Sequence, residues 1–151
     1  MIEHIWTVLC SRVITDKESN NVSLLDVMEE ITLIVQGAGS GGEVLLEKDR
    51  AILPFTLVLA SLWSRKKTDK PVAGTAKDIV ITPSGKILTE NEFKVDLSNH
   101  IRMRTKRNLH NLPVAVNEPG RYIFRTELLN EKNKTWKKVS SIPFIIKTKT
   151  E

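Results

Sequence analysis

Turn-forming clusters punctuate this chain six times, leaving stretches of 9 to 30 residues between them, and that cadence constrains its fold more than any other feature. The clusters are Asp16–Asn21, Gly37–Gly42, Arg65–Pro71, Pro83–Lys86, Asn117–Gly120 and Asn130–Lys134. They are built largely from Gly, Pro, Asn, Asp and Ser, which reverse a backbone readily or cannot continue a ladder. Short segments between turns at this spacing point to an all-β sandwich or barrel.

The segments themselves alternate as half-buried strands do. In Ile87 to Leu97, the apolar Ile87, Phe93, Val95 and Leu97 occupy odd positions, and Glu90, Glu92, Lys94 and Asp96 occupy even ones. Tyr122, Phe124 and Leu128 share one face, opposite Arg121, Arg125 and Glu127. Trp136, Ile142, Phe144 and Ile146 keep one parity, which predicts a C-terminal strand. Ala51 to Trp63 is apolar on both faces, the pattern of a central strand.

Val22 to Val35 reads two ways. As a helix, Ser23 would cap it and Leu24, Val27, Met28 and Ile31 would form an apolar stripe. As a strand, Leu25, Val27, Ile31, Leu33 and Val35 share a face interrupted by Glu29. The β-rich surroundings and the Ile31–Val35 tail favour one long strand, bulged near Glu29 and Glu30.

At 151 residues, with 40% hydrophobic and 27% charged side chains, the chain is sized for one domain, 1–151, with its own core. Cys10 is its only cysteine, so no internal disulfide forms, which fits a reducing compartment. The N-terminus lacks signal-peptide features, and no apolar run approaches the roughly twenty residues of a membrane helix. A cytoplasmic protein that engages no membrane is expected. Residues 1–50 hold 4 Lys and Arg against 9 Asp and Glu, whereas residues 51–151 hold 19 against 9. Such asymmetry can steer an acidic partner if the two signs segregate in space.

Local catalytic and cofactor motifs do not survive inspection. Gly37, Gly39 and Gly42 formally match a dinucleotide fingerprint, but Pro54 breaks the stretch after it and no acid ends the segment Phe55–Trp63. His4, His100 and His110 form no metal-spaced pair, and no Gly-x-Ser-x-Gly elbow is present. No catalytic residue, metal or cofactor is assigned.

Basic clusters are the one surface signal that stands out. Arg65, Lys66, Lys67 and Lys70 form a loop; His100, Arg102, Arg104 and Lys106 line one strand face, with Arg107 following; Lys132, Lys134, Lys137 and Lys138 flank the last turn. Arg102, Arg104, Lys106, Arg107, Arg65, Lys66 and Lys67 are therefore the candidate polyanion-binding residues. Aromatic residues are only 5% of the chain, so the sequence offers the arginines no stacking platform, and charged strands also guard sheet edges.

Glu118-Pro-Gly-Arg-Tyr122, entering an alternating strand, resembles the tyrosine corner of immunoglobulin-like sandwiches, with Phe124 where their second cysteine stands. Together with His4–Asp16, Asn21–Ile31 and Asn111-Leu-Pro113, it makes most of the chain similar to an uncharacterised family of small bacterial β-sandwich proteins. That resemblance carries a fold and no catalytic residues. The expectation is an antiparallel two-sheet sandwich, immunoglobulin-like or C2-like, of about seven to nine strands. Its leading role is a non-enzymatic protein-interaction or assembly module with a protein partner. Nucleic-acid or polyanion binding through the basic face is the alternative, an enzyme with a scattered site is a third reading, and self-association is left open.

Overall fold

The computed structural model describes residues 1–35, 50–53, 55–115 and 118–150, and among them every regular element is a strand. The strands are β1 (Ile2–Thr15), β2 (Val22–Val27), β3 (Glu30–Val35), β4 (Arg50–Ile52), β5 (Leu57–Arg65), β6 (Ala73–Ile81), β7 (Ile87–Asp96), β8 (Arg102–Leu109), β9 (Pro113–Ala115), β10 (Gly120–Asn130) and β11 (Thr135–Thr150). They form a four-stranded sheet, β2-β1-β5-β8, a five-stranded sheet, β3-β11-β10-β6-β7, and a small β4-β9 pair. No helix among the described residues is long and apolar enough to cross a membrane.

Strand alternation supplies the core. Leu9, Leu57, Leu59 and Leu109 from the four-stranded sheet meet Val80, Tyr122, Phe124, Phe144 and Ile146 from the five-stranded one in a single buried cluster. A second cluster gathers Trp63, Ala76, Val95 and Leu97, with Phe93 and Met103 packed against it. Fully burying each such side chain contributes about 1.5–3 kcal/mol, so the inter-sheet layer is the main source of stability.

The turns follow their residue chemistry. Asp16 accepts the backbone N–H groups of Glu18 and Ser19 on its Oδ1 at 2.7 and 3.1 Å, and Asn20 takes a left-handed φ of 56°. Between β6 and β7, Gly85 adopts φ 87° and donates to the Thr82 carbonyl at 2.9 Å. The corner before β10 closes as its sequence predicts, the Tyr122 hydroxyl donating to the carbonyl of Glu118.

Several expectations are corrected. Val22–Val35 is not one bulged strand. Asp26 sits at φ 50°, held by the Ser11 hydroxyl, which donates to its Oδ2 at 2.9 Å. The chain then passes from one sheet to the other, Met28 N–H bonding Leu9 and the Glu29 carbonyl accepting from Ile145. The pairing is not wholly antiparallel either: β3 enters the second sheet parallel to β11. Ala51–Trp63 divides into β4 and β5, and only β5 is an interior strand. The glycine cluster 37–42 lies outside the described residues.

The C-terminal parity also breaks. Thr126 pairs with Ser140 but Glu127 pairs with Lys138, so Val139 is an extra residue on β11. One extra residue reverses every side chain before it. Trp136 therefore leaves the core-facing row of Ile142, Phe144 and Ile146 and meets the ammonium of Lys77, 4.3 Å from its ring centroid.

Candidate functional site

Register across the four-stranded sheet decides which basic residues act together. On β8, Met103, Thr105, Arg107 and Leu109 face inward: Met103 packs on the second core cluster, Leu109 belongs to the first, and Thr105 accepts from the Trp63 indole at 2.9 Å. Arg102, Arg104 and Lys106 consequently share the outer face. Trp6 pairs with Leu62 and Leu62 with Arg104, so these three form one row across β1, β5 and β8. Val8, Ala60 and Lys106 form the next row.

The turn between β1 and β2 folds toward this face. One terminal nitrogen of Arg104 donates to both the carbonyl oxygen and the Oδ1 of Asn20, at 2.8 and 2.7 Å. Between turn and sheet lies a groove of about 620 Å³. Trp6, Val13, Val22, Ala60 and Leu62 make it largely apolar, while His100, Arg102, Arg104 and Lys106 supply cationic or basic groups. No Asp or Glu lines it among the described residues. Arg102, Arg104 and Lys106 likewise form no ion pair with any described carboxylate. An apolar, concave surface carrying uncompensated positive charge can hold an anionic group beside an apolar one.

The remaining basic candidates are not part of this groove. Arg107 points between the sheets, donating to the Asp78 carbonyl at 3.0 Å and to Thr89 Oγ1 at 2.9 Å. Burial lowers its pKa, opposed by the nearby Asp78 carboxylate. Strand alternation turns Arg65 away from the face of Ser64 and Arg102, while Lys66 and Lys67 extend from the end of β5. Lys132, Lys134, Lys137 and Lys138 belong to the hairpin of the other sheet. The cations thus make a local patch and not a continuous track.

The histidines separate in the same way. His4 Nε2 lies 2.6 Å from the Thr7 hydroxyl, which lies 2.8 Å from that of Ser61. This chain runs on the inner face beside Trp63, where desolvation lowers the His4 pKa, and Ser61 is buried. His110 meets Thr56 at the surface. No cluster of three or more His, Cys, Asp or Glu suited to a metal occurs among the described residues.

Sequence reasoning missed Trp6, Leu62 and the Ser19–Asn21 turn as partners of the arginines. Their juxtaposition depends on the order β1-β5-β8, which joins segments about a hundred residues apart, and no local pattern encodes it. The chain matches no family model, and no curated protein is significantly similar to it.

Proposed function

We propose that this chain is a non-enzymatic interaction module, a two-sheet immunoglobulin-like sandwich that docks an acidic, partly apolar segment of a protein along β8 and its groove. The observation that carries this reading is the groove's composition: an apolar floor beside Arg102, Arg104 and Lys106, with no carboxylate among its described lining residues. The resemblance to small bacterial β-sandwich proteins agrees with it and adds no catalytic group.

Binding of a labelled peptide that alternates Glu and Val tests the proposal. Binding should be saturable at low ionic strength and weaken steeply as salt is added. Arg104→Glu should weaken it by about tenfold or more, the size expected when a close charge pair is reversed, and Leu62→Glu should weaken it by placing a carboxylate on the apolar floor. Absence of saturable binding, or binding indifferent to both substitutions, overturns it.

The placement of Trp6 in one row with Arg104 favours a second reading, single-stranded nucleic acid, because aromatic rings stack bases beside cationic groups. The protein segment is preferred because Trp6 is the groove's one Trp, Tyr or Phe among the described residues. In addition, Arg102 to Lys106 spans only about 13 Å of strand. Salt-sensitive retention on single-stranded DNA that is lost on Trp6→Ala would reverse that preference.

A further inference from the structure

β8 and β7 are the last strands of their sheets, and among the described residues neither has a strand partner on its outer side. Both free edges lie on the same side of the molecule, because residues 97–101 join them and Arg107 of β8 reaches Thr89 of β7. Their charges are opposite. On β7, Phe93 and Val95 face the core, so Glu90, Glu92, Lys94 and Asp96 face outward, all exposed. On β8 the outward residues are Arg102, Arg104 and Lys106.

We infer that β8 docks against β7 of a second copy of this chain, forming a closed two-fold dimer. The inference rests on reading the outward cations of β8 as a docking element and places an acidic partner strand at the edge of β8, beside the groove. A five-residue connection cannot span the length of a strand, so β7 and β8 run in opposite directions, and the Arg107 guanidinium reaches both Thr89 Oγ1 and the carbonyl of Asp78, the register partner of Asn91. A two-fold axis parallel to the strands exchanges the two sheets. The four-stranded sheet of one copy then continues into the five-stranded sheet of the other, and the same contact forms twice.

Carrying those Arg107 contacts across that axis brings Arg104 and Lys106 against the stretch of β7 that holds Glu90 and Glu92, where cross-strand opposite charges attract. Arg102 lies toward Lys94, so Arg104 and Lys106 against Glu90 and Glu92 define each contact. Glu92 forms no ion pair with a described residue, and Arg104 keeps its Nε and Nη1 for it, since Asn20 engages only the other terminal nitrogen. Pairing β8 with β8 would align Arg and Lys with one another. The charges that protect this edge from indiscriminate association therefore select β7 as its partner.

Size-exclusion chromatography with light scattering, at low and high salt, tests the dimer. The protein should be dimeric at low salt and dissociate as salt rises. R104E/K106E and E90K/E92K should each be monomeric alone, and mixing them should restore a dimer, because both contacts regain opposite charges. Glu90 also lies 3.7 Å from Lys77 within its own sheet and Glu92 is the register partner of Lys77, so E92Q, which keeps Glu90 and sets no second cation opposite Lys77, serves as the milder variant; it should weaken dimerisation several-fold. A monomer at low salt across the accessible concentration range, or reversed variants that fail to reassemble, overturns the dimer. If that monomer still binds the acidic peptide, only the choice of partner fails; if it binds neither, the docking reading fails as well.

Discussion

The hydroxyl of Tyr122 donates to the carbonyl oxygen of Glu118 at 3.1 Å, and the carboxylate of Glu118 accepts from the backbone of Ser84 at 2.6 Å. Hydrogen bonding from the Ser84 side chain, and next from its backbone N–H, holds the Glu118 carboxyl below its usual range. The two bonds tie the entry of β10 to the turn between β6 and β7. Gly120 makes this approach feasible: it takes φ 135°, and Pro83 stands 3.4 Å from where a Cβ would be.

Tyr122→Phe keeps the buried ring and removes the hydroxyl. The expected loss is about 1 kcal/mol, the usual net worth of one intramolecular hydrogen bond. Urea denaturation checks it through the midpoint, with the slope unchanged because the same surface is buried.

Arg104 and Arg107 should separate cleanly although both belong to one basic run in the sequence. Arg107→Ala removes donors to Asp78 and Thr89 between the sheets and should cost about 2 kcal/mol of stability. It should leave acidic-peptide binding within about twofold, because the side chain faces away from the groove. Arg104→Ala should do the reverse, weakening peptide binding while shifting stability by less than about 1 kcal/mol. Denaturation and anisotropy titrations on the same two variants decide the matter.

Lys77 lies 3.5 Å from Glu127 and 3.7 Å from Glu90, and sits over the Trp136 ring, with its side chain only 12% exposed. Lys77→Met retains the apolar stem and should cost about 1–2 kcal/mol. Partial burial shields these contacts from salt, so most of the loss should persist at about 1 M ionic strength. Lys134→Met, which removes the exposed ion pair to Glu131, should change stability by less than about 0.5 kcal/mol. Thermal melts at two salt concentrations compare them.

These residues also show what was legible in the sequence. Local chemistry was readable: the turns at Asp16–Asn21 and Pro83–Lys86, the alternation of Ile87–Leu97 and the Tyr122 corner all depend on neighbours a few residues apart. Arg102, Arg104 and Lys106 share one strand face as their alternation implies, whereas His100, expected in the same row, precedes β8 in the connection from β7. Arg107 has the opposite parity, and only the second sheet supplies the acceptors that fix it inside. Trp136 could not be assigned its face because the bulge at Val139 is defined by pairing with β10. Val22–Val35 failed for a related reason, since Asp26 turns the chain only where Ser11 of β1 holds it. The apolar floor of the groove needed the order of three strands.

Asp78 gives the fold a specific pH dependence. Its side chain lies between the sheets, 3% exposed, and Thr126 Oγ1 donates to its Oδ1 at 2.8 Å. Burial pushes its pKa from 3.8 up to about 6, against the opposing pull of the Thr126 bond and the Arg107 charge. Between those two values the folded chain holds a proton that the unfolded chain has released, so stability falls as pH rises. The contribution is complete below about pH 4 and is lost as pH passes about 6, for a total of about 3 kcal/mol at roughly 1.4 kcal/mol per unit. Asp78→Asn removes the titration while approximating the protonated carboxyl in shape. The variant should match the native protein near pH 4 and become the more stable of the two by pH 7. Denaturation midpoints measured at intervals from pH 4 to 8 supply the difference, and parallel profiles for the two proteins would show that Asp78 is not the group responsible.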